Sequence, residues 1–93
     1  MIIRWSETAI ANLEQLRDYI ADRNLEAAQA SAQRIIAAVA ALERFPNMGR
    51  IGRAPDTREL IVPGSPFIIP YRVIDDRVVV LAVIRAEQNW PPG

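Results

Sequence analysis

The chain contains no cysteine, no histidine and no lysine. Without cysteine there is no disulfide framework and no thiolate for redox or metal chemistry. Without histidine the commonest zinc ligand and the commonest general base are both missing. With no lysine, all eleven basic residues are arginine, whose guanidinium keeps its charge under any biological condition and grips planar anions through a rigid fork. A GC-rich genome produces this arginine usage together with the abundant alanine seen here, so the bias alone assigns no role. Long apolar runs are scarce too. Val78 to Ile84 is far too short to span a bilayer. The opening Met1-Ile2-Ile3-Arg4-Trp5 reaches charge at once, unlike a secretory signal. The expectation is a cytoplasmic protein with no membrane association, no metal and no cofactor.

What remains is enough for a core. The 93 residues suit one domain spanning 1–93, and 51% of them are hydrophobic against 24% charged. The formal net charge of zero conceals a mild asymmetry: residues 1–43 hold four arginines and six acidic residues, residues 44–93 seven and five. That imbalance proves nothing about nucleic acid by itself.

Local patterning predicts the elements. Ile2-Ile3-Arg4-Trp5 is a short strand, and Ser6 is an N-cap followed by Glu7 in the first helical turn. Ile10, Leu13, Leu16 and Ile20, with Ala9 beside them, lay an apolar stripe along a helix over about residues 7–22, with Asn12, Glu14, Gln15 and Asp18 toward water. Asn24 caps a second helix whose stripe is Ala28, Ala32, Ile35, Val39 and Leu42, with Ile36 alongside. Phe45-Pro46 ends it. Residues 47–57 form a loop, Arg58 to Val62 a strand, Pro63-Gly64-Ser65-Pro66 a turn, and Phe67 to Ile74 a strand in which Pro70 implies an edge or a bulge. After the tight turn Asp75-Asp76, Arg77 to Ile84 is a strand apolar on both faces, as in a strand that sits centrally or is covered twice. The fold class is α+β: β-α-α-β-β-β, a helical hairpin packed on one face of an antiparallel four-stranded sheet.

This order, and several segments within it, resemble the RelE/ParE superfamily of toxins from type II toxin–antitoxin systems. Trp5-Ser6-Glu7-Thr8-Ala9 with Leu13 and Ile20 is similar to the family's first strand and helix. Phe45-Pro46-Asn47-Met48-Gly49-Arg50 is similar to the motif closing its second helix. Thr57-Arg58-Glu59-Leu60 with Val62-Pro63-Gly64 resembles the following strand, and Ile69-Pro70-Tyr71-Arg72-Val73 the one after. Val80-Leu81-Ala82-Val83-Ile84-Arg85 with Gln88-Asn89-Trp90-Pro91 resembles the end of a ParE-like branch. The resemblance implies a bacterial toxin neutralised by a cognate antitoxin, a small protein with a DNA-binding N-terminal dimer and a C-terminal segment that folds onto the toxin in a hetero-oligomer. It implies DNA gyrase as the poisoned target. The alternatives are a metal-independent, ribosome-dependent mRNA endonuclease of the RelE kind, and an inactive antitoxin-binding module. Where this branch commonly has histidine the chain has Arg85, which can stabilise negative charge but cannot act as a base.

The expected site is a cluster of arginines on the open face of the sheet: Arg50 or Arg53 from the loop, Arg72 from a strand, Arg85 at the end of the last strand, and Arg58 near enough to join them. Such a cluster would recognise nucleic acid or an acidic protein surface, with Trp90 as a further contact. RNA cleavage would also need a base, for which Glu59 and Glu87 are candidates, and an acid, for which Tyr71 is one; Arg72 and Arg85 would stabilise charge. The competing reading has Arg58 and Arg72 paired with Glu59, Asp75 or Glu87, Tyr71 in the core, and Trp90 folded back. The exposed face of the second helix and the sheet edge are the expected antitoxin surfaces.

Overall fold

The computed structural model describes residues 1–92. In chain order the elements are β1 (Ile2–Trp5), α1 (Glu7–Ala21), α2 (Leu25–Ala40) with a 3-10 turn (Ala41–Glu43), β2 (Arg50–Ile51), β3 (Arg58–Ile61), β4 (Phe67–Ile74), β5 (Arg77–Val80) and β6 (Ile84–Arg85). Both predicted caps form: the Ser6 hydroxyl accepts from Ala9 N at 3.0 Å, and Asn24 Oδ1 from Ala27 N at 3.0 Å. These bonds satisfy amide groups that the first helical turn leaves without partners.

The helical hairpin lies against one face of the sheet. Ala9, Ile35, Val39 and Leu42 from the helical layer join Leu60, Phe67, Ile69, Tyr71, Val78, Val80 and Val83 in one buried cluster. The α2 stripe is buried as its spacing predicts. On α1 the fully buried residue is Ala9, not Ile10, which is 45% exposed at the rim. A small residue at the point of closest approach lets the helix axis come near the sheet.

The strand order is β1-β5-β4-β3-β2, and β6 pairs with β4. The α+β layer architecture is as expected, but Arg50–Ile51, within the expected loop, forms the short strand β2 beside β3, and the sheet has six strands, not four. Two further refinements concern the other strands. First, the β2–β3, β3–β4 and β4–β5 ladders are antiparallel, but β1 joins β5 in parallel, with Ile2 beside Arg77 and Trp5 beside Val80. Counting the short β2, each successive element reverses direction, so β5 runs the same way as β1, and β1 pairs along the edge of β5 that β4 leaves free.

Second, the expected strand from Arg77 to Ile84 is interrupted. Tyr71 pairs with Val80 and Ile68 with Ile84, so Leu81, Ala82 and Val83 stand opposite only Ile69 and Pro70. One extra residue on one strand is a bulge. Pro70 has no N–H to offer there, and its carbonyl accepts from Leu81 N at 2.9 Å. Helix α1 supplies the other partners: Ser6 Oγ donates to Leu81 O at 3.1 Å, and Asn12 Oδ1 accepts from Val83 N at 3.1 Å. Asn12 therefore turns toward the sheet, not toward water.

Candidate functional site

The bulge decides where the last arginine goes. Side chains alternate between faces along a strand, so an inserted residue transfers everything after it to the other side. Val80 packs under the helices. Uninterrupted alternation would put Arg85 on the open face. Instead Ala82 and Ile84 lie on the open face with Ile68, and Val83 returns beneath the helices. Arg85 pairs with Phe67 and sits on the helix side, its guanidinium 5.8 Å from the centre of the Phe67 ring. It borders a groove of about 510 Å³ between α1 and the sheet, floored by Leu16, Phe67 and Val83 and rimmed by Asn12, Gln15, Tyr19 and Gln88.

Arg85 is also engaged, its Nε donating to Glu87 Oε1 at 3.0 Å. A backbone hydrogen bond and this arginine hold the Glu87 carboxyl below the usual carboxylate range. That favours the ionised form but lowers its strength as a base. Arg58 is likewise on the helix side, opposite Tyr71, and its Nη1 donates to Asn47 O at 3.2 Å and Gly49 O at 2.8 Å. The expected convergence of all the arginines on one face is thus corrected: Arg58 and Arg85 stand apart from Arg50, Arg53 and Arg72.

Glu59 collects two of the remaining three. Its carboxylate is 2% exposed and accepts from Arg50 Nη2 at 3.1 Å, Arg53 Nε at 2.9 Å, Arg53 Nη2 at 3.3 Å and Arg53 N at 2.9 Å. Burial by itself pushes this carboxyl up, but the Arg53 and Arg50 hydrogen bonds and the Arg53 charge outweigh it, leaving Glu59 below its ordinary value. A carboxylate so held is a structural anchor, not a base. Arg53 Nη1 also donates to Gln88 O at 3.2 Å, so one side chain ties the 52–57 loop to both β3 and the tail.

Tyr71 is fully buried. Its hydroxyl donates to Pro46 O at 2.7 Å and accepts from Gly49 N at 2.9 Å. Burial raises its pKa above the usual phenol value, against the opposing effects of the Gly49 bond and the Arg58 charge. It holds the loop after α2 and cannot reach a substrate. The loop is shaped to fit: a Cβ on Gly49 would stand 2.7 Å from the Tyr71 ring and hydroxyl, so no larger residue passes there without displacement.

Trp90 folds back, packing on Ile68, Ala82 and Ile84 of the open face. Arg72 lies on that face beside Val79 and is exposed. Among the described residues it forms no ion pair, since the three salt bridges belong to Arg50, Arg53 and Arg85. The suggested pairing of Arg58 and Arg72 with Glu59, Asp75 or Glu87 is not formed.

Two open-face arginines escaped the sequence reading. Arg4 faces outward because Ile3 and Trp5 pack inward, and it lies beside Val79 from the β1 side. Arg77 lies between Ile2 and Ile74. The alternation of β1 and β5 carried the signal for both. Among the described residues no three acidic side chains gather at a spacing that would hold a metal ion, and no helix is long and apolar enough to cross a membrane.

Comparison with known proteins agrees with this architecture. The family model for the ParE toxin of the type II toxin–antitoxin system parDE matches residues 3–90. Y4kP of Sinorhizobium fredii, named as a candidate toxin, is 43% identical over 89 residues, covering 96% of this chain and 92% of its own length. Toxin RelE2 of Caulobacter vibrioides is 34% identical over 82 residues, covering 88% and 91%. A chain of the chromosomal ParDE system from P. aeruginosa superimposes with a TM-score of 0.85 at 30% identity, over 94% of this chain and 97% of that one. A chain of the intact E. coli RelBE complex shares the fold, with a TM-score of 0.67 at 18% identity over 94% and 98%. The chain belongs to the RelE/ParE superfamily, in its ParE-like branch, and is the toxin of a type II toxin–antitoxin system.

Proposed function

We propose that this toxin arrests growth by binding and poisoning DNA gyrase, without chemistry of its own. The observation that carries the reading is the engagement of every candidate proton carrier. Tyr71 is buried with both hydroxyl functions used, Glu59 is enclosed by two arginines, and Glu87, though exposed and paired with Arg85, stands on the opposite side of the sheet from Arg72. Hydrolysis or transesterification of RNA needs a base and an acid positioned around one phosphate. Arginine supplies neither. A supercoiling assay with purified toxin and gyrase tests the proposal: inhibition with a trapped cleavage complex is expected, and full supercoiling activity at toxin excess would refute it.

A second reading, ribosome-dependent cleavage of mRNA, is favoured by the 34% identity to a protein named RelE2. It would place Arg72 or Arg85 against the scissile phosphate. Primer extension on translated transcripts tests it, with codon-specific cuts expected; intact transcripts during growth arrest would refute it.

The toxin is held inactive by its antitoxin, which in this reading is a small protein with a dimeric DNA-binding N-terminal part. Its C-terminal segment has two surfaces to cover, one apolar and one with an apolar floor and a polar rim. One is the outer face of α2, where Leu25 (63% exposed) and Ile36 (50%) stand among alanines. The other is the groove between α1 and β6. Binding to the folded state alone raises the melting temperature by mass action, so an unchanged melting point on mixing would refute this arrangement.

A further inference from the structure

The open face beyond the Glu59 cluster carries a regular pattern of charged and aliphatic side chains. Across one row lie Ile2, Arg77 and Ile74; across the next lie Arg4, Val79 and Arg72. Ile2 is 56% and Ile74 45% exposed, and the three arginines are exposed too. Neighbouring strands are about 4.8 Å apart, so Arg4 and Arg72 stand roughly 10 Å from one another with Arg77 between and beside them. Among the described residues none of the three reaches a carboxylate within ion-pair distance. Asp75 and Asp76, which form the β4–β5 turn next to Arg77, stay beyond it. Residues 7–43, by contrast, hold six acidic residues against three arginines. A chain of zero net charge therefore gathers unpaired positive charge on one side.

We propose that this patch is the surface through which the toxin engages its target, and that its occupant is a segment of the target protein in which carboxylates alternate with aliphatic side chains. The inference rests on the reading above that the toxin acts by binding. Charge complementarity supplies the carboxylates, and Arg is suited to receive them in bidentate fashion. The aliphatic half of the pattern separates a polypeptide from a nucleic acid. A phosphate backbone has nothing to place against Ile2, Ile74 and Val79, and none of the side chains in these two rows is an aromatic ring on which a base could stack, Trp90 of the same face being packed on Ile68, Ala82 and Ile84. An extended chain presents every second side chain to the sheet at about 6.7 Å intervals, close to the distance between the two rows.

The probe is a fluorescein-labelled peptide of Glu-Glu-Val-Val repeats, which in extended form shows carboxylate and aliphatic side chains in alternation on each face. Anisotropy with the full chain is compared with that of a Lys-Lys-Val-Val peptide and of a single-stranded DNA oligonucleotide. The acidic peptide is expected to bind best, and raising salt from about 50 mM to about 300 mM should weaken it several-fold. The triple variant Arg4→Gln, Arg72→Gln, Arg77→Gln is expected to lose about a hundredfold in affinity. Ile2→Ser with Ile74→Ser should lose about tenfold for the peptide and nothing for the oligonucleotide. None of these side chains is fully buried, and an unchanged melting temperature confirms that the variants fold.

Induction of the triple variant in cells is expected to leave growth unimpaired where the wild type arrests it. Tighter binding of the oligonucleotide, no binding of the acidic peptide, or undiminished growth arrest by the triple variant would each overturn the proposal. Failure of the wild type to inhibit gyrase would instead refute the gyrase reading, and the peptide and growth measurements would still judge the patch.

Discussion

The two faces of the sheet are built from the same strands, yet only one is closed. Beneath the helices, Phe67, Ile69 and Tyr71 of β4 meet Val78 and Val80 of β5 and the α2 stripe, and among the described residues every buried side-chain polar atom is satisfied. On the other face the same strands turn out Arg72, Arg77 and Val79, with only the tail residue Trp90 packed over Ile68, Ala82 and Ile84. The difference teaches where function can reside. A side chain beneath the helices, as Tyr71 is, is committed to packing however reactive its type, whereas Arg85, at the rim of the α1 groove on the same side, stays half exposed. A side chain on the open face is free unless a neighbour claims it, as Glu59 claims Arg50 and Arg53.

That contrast predicts a graded series of stability effects. Ile35→Ala, in the centre of the helix–sheet interface, should cost about 4 kcal/mol, measured by denaturant unfolding. A loss under about 1 kcal/mol would mean that the layers are not packed as described. Next comes the anchor on the open side. Glu59→Gln should cost about 3 kcal/mol, because two guanidinium groups lose their buried carboxylate.

The same residue predicts a pH dependence. Its carboxyl is depressed on folding, so its contribution is fully present above the ordinary value of 4.5 and is lost as pH falls through the folded value. The wild type should therefore lose more stability than Glu59→Gln on acidification below that value, in parallel thermal melts. Identical acid limbs would contradict the clasp. Tyr71→Phe should cost about 2 kcal/mol, since Gly49 N–H and Pro46 C=O lose their shared partner. Should Tyr71→Phe instead abolish toxicity while leaving the melting temperature unchanged, the hydroxyl would have a chemical role after all. Smallest is Arg72→Gln, expected to change stability by less than about 0.5 kcal/mol. A large loss there would show that the open face is structurally committed too.

Much of the fold was legible because it is written locally. Ser6 and Asn24 announce the helix starts, the spacing of Ala28 through Leu42 gives the buried face of α2, and Pro70 signals an edge or a bulge, of which the bulge forms because β4 is paired on both sides. The site was harder, for a physical reason. The bulge sits opposite Pro70 and shifts the alternation of the last strand by one residue, which sends Arg85 to the helix side; no local pattern around Arg85 shows that shift. Glu59 depends on Arg50 and Arg53 meeting it through the β2–β3 pairing, a tertiary event. Arg4 and Arg77 follow from simple alternation along β1 and β5, outside the motif-borne segments, and among the described residues they carry no ion pair.

The most direct test of a toxin that works by contact is unopposed induction in cells, with the DNA-damage response and mRNA integrity read from the same culture. Binding and poisoning of gyrase predicts an early damage response with transcripts intact. Codon-specific mRNA cleavage preceding any damage response would contradict the account.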